Sequence, residues 1–166
     1  MSYEPFTTIT FGEPIDEKVY RLRDRYGLPG MRVLQFSFGK DIGNSLHAIH
    51  NHTFNSIAYT GTHDNNTAKG WYRYETRRLQ RKNLDICAGK KVNMDNCHKE
   101  LIRLAYSSVA KTVIIPLQDI LGLGSSARMN TPAVAAGNWT WRLGRDQHNH
   151  PDWKWIRDLV RTFGRY

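Results

Sequence analysis

A histidine and an aspartate stand side by side where an apolar run stops, in Ile57-Ala58-Tyr59-Thr60-Gly61-Thr62-His63-Asp64-Asn65-Asn66-Thr67. An imidazole and a carboxylate on a turn of small residues make a candidate active-site edge. Tyr59 and Thr60 favour a strand, Gly61 breaks it, and Asn65-Asn66-Thr67 can cap a helix that begins near Ala68. His63 and Asp64 then fall on a strand-to-helix loop, the place where α/β barrels carry their chemistry. The residues alone equally allow a plainer reading, with Asp64 as a helix N-cap and His63 as a solvated turn residue.

Four further blocks accompany this stretch in order: Leu28-Pro29-Gly30-Met31-Arg32-Val33-Leu34-Gln35-Phe36; Ile115 through Gly124, reading IPLQDILGLG; Ala127-Arg128-Met129-Asn130-Thr131-Pro132; and Gly137-Asn138-Trp139-Thr140-Trp141-Arg142. With Tyr59 to Asn65 they resemble the amylomaltases, the 4-alpha-glucanotransferases of the alpha-amylase clan, over about Val19 to Arg142. Five blocks in the right order are specific, whereas the His-Asp pair alone is weak.

The resemblance implies an α/β fold, an incomplete (β/α)8 TIM barrel made of about the last three βα units, strands six to eight. Residues 1–166 are then the C-terminal portion of a catalytic barrel, with 1–12 unassigned. The implied activity is retaining transfer of alpha-1,4-glucan segments between malto-oligosaccharides, with no cofactor and no metal. Such transfer uses a nucleophilic carboxylate and an acid/base carboxyl about 5–5.5 Å apart. By resemblance Asp64 is the third acid, which stabilises the substrate, and His63 contacts the same sugar. Asn130 matches a glucan-binding asparagine, and Asn138 and Trp139 lie in a matching block as further substrate contacts. The acid/base place reads Ile9-Thr10-Phe11-Gly12, without a carboxylate, and the nucleophile's strand has no counterpart in the chain. The chain is therefore expected to be inactive alone, with the missing strands supplied by another chain if the barrel is completed. The alternative is a non-catalytic remnant that binds glucan.

Composition narrows the classes. A barrel of eight strands takes about 250 residues, more than these 166. The formal charge of +9 invites a nucleic-acid reading, but the basic residues are spread widely and are denser mainly from Arg73 to Lys91, as on a solvated face. No nucleic acid is expected as a partner. Cys87 and Cys97 lack zinc-site spacing and are too few for a disulfide framework. No apolar run reaches the ~18 residues of a membrane span and no signal pattern opens the chain, so a cytoplasmic protein is expected, or a plastid one in a plant.

The elements that must position the site follow from periodicity. Ile15, Val19, Leu22 and Tyr26 predict a core-facing helix from Glu13. Met31 to Phe38 reads as a strand buried on both faces, Ile57 to Thr62 as the next strand and Val113 to Leu117 as the third. Between the first two lies a polar connection, Lys40 to Asn55, with His47, His50 and His52, expected as ordinary exposed histidines on the catalytic face rather than metal ligands. One helix is predicted over Ala68 to Leu84 and another over His98 to Lys111, with Leu101, Leu104, Ala105, Ser108 and Val109 on its packed face. Gln118-Asp119 would end the third strand, Asp119 in a structural role. Leu121 to Arg142 reads as a loop whose tryptophans either touch sugar or plug the outer wall, and Trp153 to Phe163 as a closing helix.

Overall fold

The computed structural model describes residues 17–166; Ile9 to Gly12 and the start of the helix expected from Glu13 lie outside them. The described helices and strands, in chain order, are α1 (Glu17–Arg25), β1 (Gly30–Val33), β2 (Ser56–Tyr59), α2 (Ala68–Tyr74), α3 (Arg78–Ala88), α4 (Cys97–Ser107), β3 (Thr112–Ile114), α5 (Leu117–Ile120) and α6 (Asp152–Thr162). The three strands form one parallel sheet in the order β1-β2-β3. Gly30 pairs with Ser56 and Val33 with Tyr59, while Ile57 pairs with Thr112 and Tyr59 with Ile114. All three strands therefore point their carboxyl ends the same way, which is where the Thr62–Asp64 turn emerges.

α4 joins the two cores because it buries apolar residues on two sides. Leu101, Leu104 and Ala105 join Leu34, Phe38, Trp71, Tyr72 and Leu84 in the main core, and Ile102 joins Ile120 and Leu159 in a second. Ser108 closes the helix in a buried position, but Val109, expected on the packed face, is exposed because the helix has already ended. α6 fulfils its expectation, bringing Trp153, Ile156 and Phe163 against the second cluster.

Several elements depart from the sequence reading. α1 buries none of its residues, and Val19 and Leu22 are more than half exposed, so it is not core-facing. It precedes β1, the edge strand, and packs little against the other described elements. β1 is shorter than the apolar run, which continues into a 3-10 turn over Leu34–Phe36; Ser37 closes that turn by donating from N and Oγ to Leu34 O at 2.9 and 2.6 Å. A continuous apolar run does not distinguish a strand from a buried turn. Met31 is exposed, so the strand is not covered on both faces. The expected Ala68–Leu84 helix is two helices, with an extended Arg77 between them whose N–H is capped by Gln80 Oε1 at 2.8 Å.

The connection from β1 to β2 contains 3-10 turns and no α-helix, and two of its histidines hold it down. His47 Nδ1 accepts the Val33 N–H at 3.0 Å. His52 Nε2 lies 3.0 Å from His47 O, so it must donate, which leaves Nδ1 to accept the Ser108 hydroxyl at 2.6 Å. Burial lowers both imidazole pKa values, and Arg32 lowers them further. These histidines are latches to β1 and α4, not exposed loop residues on the catalytic face. His50 alone of the three is exposed. No group of three His, Cys, Asp or Glu among the described residues is arranged to hold a metal, and no described helix is long and apolar enough to cross a membrane.

Candidate functional site

A pocket of about 650 Å³ opens beyond the carboxyl ends of the strands. Met31 and Val33 of β1, Tyr59 of β2 and Ile114 of β3 line its apolar floor; Thr62, His63, Asp64 and Asn65 form one wall, and Ala127, Arg128, Met129 and Trp139 face them.

The wall is built by its own sequence. Asn65 Oδ1 accepts both the N–H and the hydroxyl of Thr62, at 2.9 and 2.8 Å, which folds the turn back and sets His63 and Asp64 at its tip. Gly61 is required just before it, since a Cβ there would lie 2.7 Å from Gln35 Nε2. That amide spans the strands, donating to Asn66 O at 2.9 Å. The cap of α2 is Thr67, whose Oγ1 accepts the Gly70 N–H at 3.1 Å. Asp64 is therefore not the N-cap, and its carboxylate is available to the pocket.

Four of the sequence-selected polar and aromatic groups meet here. Asn130 Nδ2 donates to Asp64 Oδ1 at 2.5 Å, and His63 Nε2 lies 3.3 Å from the same oxygen. The His63 ring packs tilted against Trp139, with centroids 5.1 Å apart. Trp139 is 53% exposed, so its ring is not a plug of the outer wall. It adopts a left-handed backbone at φ +60°, uncommon for a bulky residue, while its N–H donates to Met129 O at 2.7 Å. Backbone strain of this kind gathers at ligand sites.

Asn138 differs from its expectation: it does not line the pocket, and its amide closes the loop beneath Trp139. Its Oδ1 accepts the Thr131 N–H at 2.9 Å, and its Nδ2 donates to Val134 O at 2.8 Å and Thr131 O at 3.3 Å. Every polar atom of the side chain is thus engaged by backbone. Trp141 is likewise outside the pocket lining; Arg142 ties the segment by donating to Trp139 O and Trp141 O.

Asp119 sits under the pocket, 1% exposed. Its Oδ2 accepts the Thr60 hydroxyl at 2.6 Å and its Oδ1 the Ala68 N–H at 2.7 Å, which joins the end of β2 to the start of α2. Burial pushes its pKa up to about 6 despite those two hydrogen bonds. Both oxygens are committed, so it is a structural acid, in line with its expected role.

Sequence reasoning passed over Arg128 as a site residue. Its Nη2 donates to Asp64 O at 2.7 Å and its Nε to Asn130 O at 2.8 Å, while Nη1 lies 3.8 Å from Glu75 Oε1. The only signal available was its place two residues before Asn130, and nothing in the sequence indicated that it reaches back across the pocket.

Comparison with known proteins gives concordant results. A family model described as 4-alpha-glucanotransferase matches residues 13–147. The chain is 48% identical over 139 residues to a 4-alpha-glucanotransferase of Synechocystis sp., a match covering 84% of this chain and 27% of that protein. It is 45% identical over 157 residues to the chloroplastic/amyloplastic 4-alpha-glucanotransferase of Arabidopsis thaliana, covering 91% of this chain and 26% of that protein. Among solved structures it resembles the amylomaltase of Streptococcus agalactiae in complex with acarbose, with a TM-score of 0.85, 32% identity and coverage of 93% of this chain and 31% of that one. The chain thus spans between a quarter and a third of the length of these relatives.

Proposed function

The chain belongs to the 4-alpha-glucanotransferase family, and from that premise we propose that its pocket binds one glucose unit of an alpha-1,4-glucan and stabilises positive charge on it during retaining transfer. β1, β2 and β3 are read as strands six, seven and eight of an eight-stranded barrel. Asp64 provides the negative charge that an oxocarbenium-like transition state needs. His63 offers a ring nitrogen to a sugar hydroxyl, and Trp139 offers an aromatic face to a sugar ring. Asn130 orients the Asp64 carboxylate and keeps its remaining amide capacity for the glucan. Asn138 acts indirectly, by shaping the loop that presents Trp139.

The observation that carries this reading is the convergence of Asp64, His63 and Asn130 on one point beside an exposed tryptophan, at the carboxyl ends of parallel strands. Among the lysines and arginines Arg128 alone lines the pocket, which suits a neutral polyhydroxylated ligand better than a nucleic acid. The acarbose bound to the Streptococcus agalactiae amylomaltase supports an oligosaccharide as ligand. Among the described residues, the other carboxylate lining this pocket is Asp119, which accepts a hydrogen bond at each oxygen. In this reading the nucleophile and the acid/base lie outside the described pocket residues.

Titration with maltoheptaose, followed by tryptophan fluorescence, tests the proposal. A saturable change that disappears in Trp139→Phe and weakens in Asp64→Asn is expected. A flat titration up to the solubility limit of the sugar would overturn it.

A further inference from the structure

The Asp64 carboxylate is held by a chain of contacts that ends at Glu75, the C-cap of α2, which does not itself line the pocket. Asn130 is the residue in contact with Asp64 Oδ1, yet Asn130 lies on a loop with no helix or strand of its own to fix it. Arg128 fixes it. One planar guanidinium donates to the Asn130 carbonyl and to the Asp64 carbonyl at once, so the two partners of the 2.5 Å hydrogen bond are tied to the same rigid group. The Asn130 N–H closes the frame by donating to His63 O at 3.1 Å.

The guanidinium is in turn placed by Glu75, 3.8 Å away across the end of α2. The same Glu75 oxygen accepts Asn66 Nδ2 at 2.9 Å, and Asn66 Oδ1 accepts the Thr67 N–H at 3.0 Å. Asn66 can lie there because residue 70 is glycine: a Cβ would meet Asn66 Oδ1 at 2.1 Å and Ser125 Oγ at 2.4 Å. A network built around a missing side chain, and ending in a planar two-point clamp, specifies arginine and not merely a positive charge.

We propose that Arg128 is the positioning residue of this site, held by Glu75, and that it sets the direction of the Asp64 carboxylate through Asn130. The assignment rests on the glucan reading of the pocket for its purpose, but its geometry is testable without a sugar. Lysine at 128 keeps the charge and loses the fork, so it cannot bridge the Asp64 and Asn130 carbonyls. Glutamine at 75 keeps an acceptor for Asn66 and loses the charge facing Arg128.

The readout is the Asn130 side-chain amide in protein labelled with ¹⁵N-asparagine, its signal assigned by its loss in Asn130→Asp. In the parent that amide is expected to exchange slowly with solvent. Arg128→Lys should speed the exchange by roughly tenfold or more, the worth of a hydrogen bond to a charged group, and Glu75→Gln should do so to a smaller degree. A purely structural role would instead lower the melting temperature and disturb amides throughout, leaving Asn130 no more affected than the rest. If Arg128→Lys does not fold, Glu75→Gln decides alone, since Glu75 is 42% exposed at its side chain and its loss is tolerable. Unchanged Asn130 exchange in whichever of these variants folds overturns the assignment. Maltoheptaose then separates the two proposals. Weaker binding in Arg128→Lys supports both, whereas absence of binding by the parent refutes the glucan site and leaves the exchange result to judge Arg128.

Discussion

At the scale of single residues, two aspartates from adjoining motifs take opposite roles, and burial decides which. Asp64 is partly open and touches one amide and one imidazole, so its charge can serve a ligand. Asp119 is enclosed, and its pKa is pushed up to about 6 by that burial. Its contribution to stability is fully present below the ordinary 3.8 and is lost as pH rises to about 6, on the order of 3 kcal/mol. His98 runs the other way: burial, with Lys69 and Lys99 nearby, pulls its pKa from 6.5 to about 4, so its contribution is present above 6.5 and lost as pH falls to about 4. The two oppose each other in one window. Asp119→Asn keeps an oxygen for the Ala68 N–H and an amide for Thr60, and removes only the acid. That variant should lose stability on acidification through the window more steeply than the parent, as measured by urea melts at several pH values; parallel curves would refute the assignment. For Asp64, the expectation concerns rate. In a protein that carries the whole barrel, on the proposed reading, Asp64→Asn should slow transfer at least about tenfold, worth roughly 1.4 kcal/mol, with no change in melting temperature, because Thr67 and not Asp64 caps α2.

At the scale of elements, α4 carries the packing and α1 does not. Leu101 is fully buried in the main core, and cutting it to alanine should cost about 2–5 kcal/mol by denaturant titration. Val109→Ala, two residues past the end of the same helix, should stay within about 0.5 kcal/mol, although the helical spacing in the sequence gives it the same standing. Equal losses at the two positions would mean that the helix extends further than described. The interruption between α2 and α3 shows why such boundaries are hard to read. Neither glycine nor proline marks it; it is made by Thr76 Oγ1 bonding to Tyr72 O and by the Gln80 side chain capping Arg77.

At the scale of the molecule, β1 and β3 are each paired on one side only within the sheet, and Phe36, Met31 and Ile114 are exposed near its edges. Open parallel edges with apolar neighbours favour association. The 166-residue chain alone should therefore show concentration-dependent self-association by light scattering at micromolar concentration; a sharp monomer with a cooperative melt would contradict this. It should also leave maltotriose unchanged, because among the described residues the pocket offers one carboxylate not enclosed, Asp64, whereas a retaining transfer needs two cooperating groups. Glucose and longer oligomers released by the pure chain would show that its own carboxylates suffice.

The sequence by itself determined the family and the presence of three strands, and it singled out His63, Asp64, Asn130 and Trp139, which meet at one pocket, since each is tied to a short motif whose spacing is local. It also indicated the packed faces of α4 and α6, because an apolar face repeats at the helical period. The tertiary structure decided what depends on contacts between distant segments. It made His47 and His52 latches instead of exposed histidines, because their acceptors and donors come from β1 and α4. It turned Asn138 from a sugar contact into a loop clip, because backbone groups of residues 131 and 134 occupy its amide. It left α1 exposed despite its amphipathic pattern, because periodicity encodes a face to be buried but not whether anything packs against it. And it brought Arg128 to Asp64 across 64 residues of chain, a distance over which no spacing rule operates and only the closure of the fold can specify the partner.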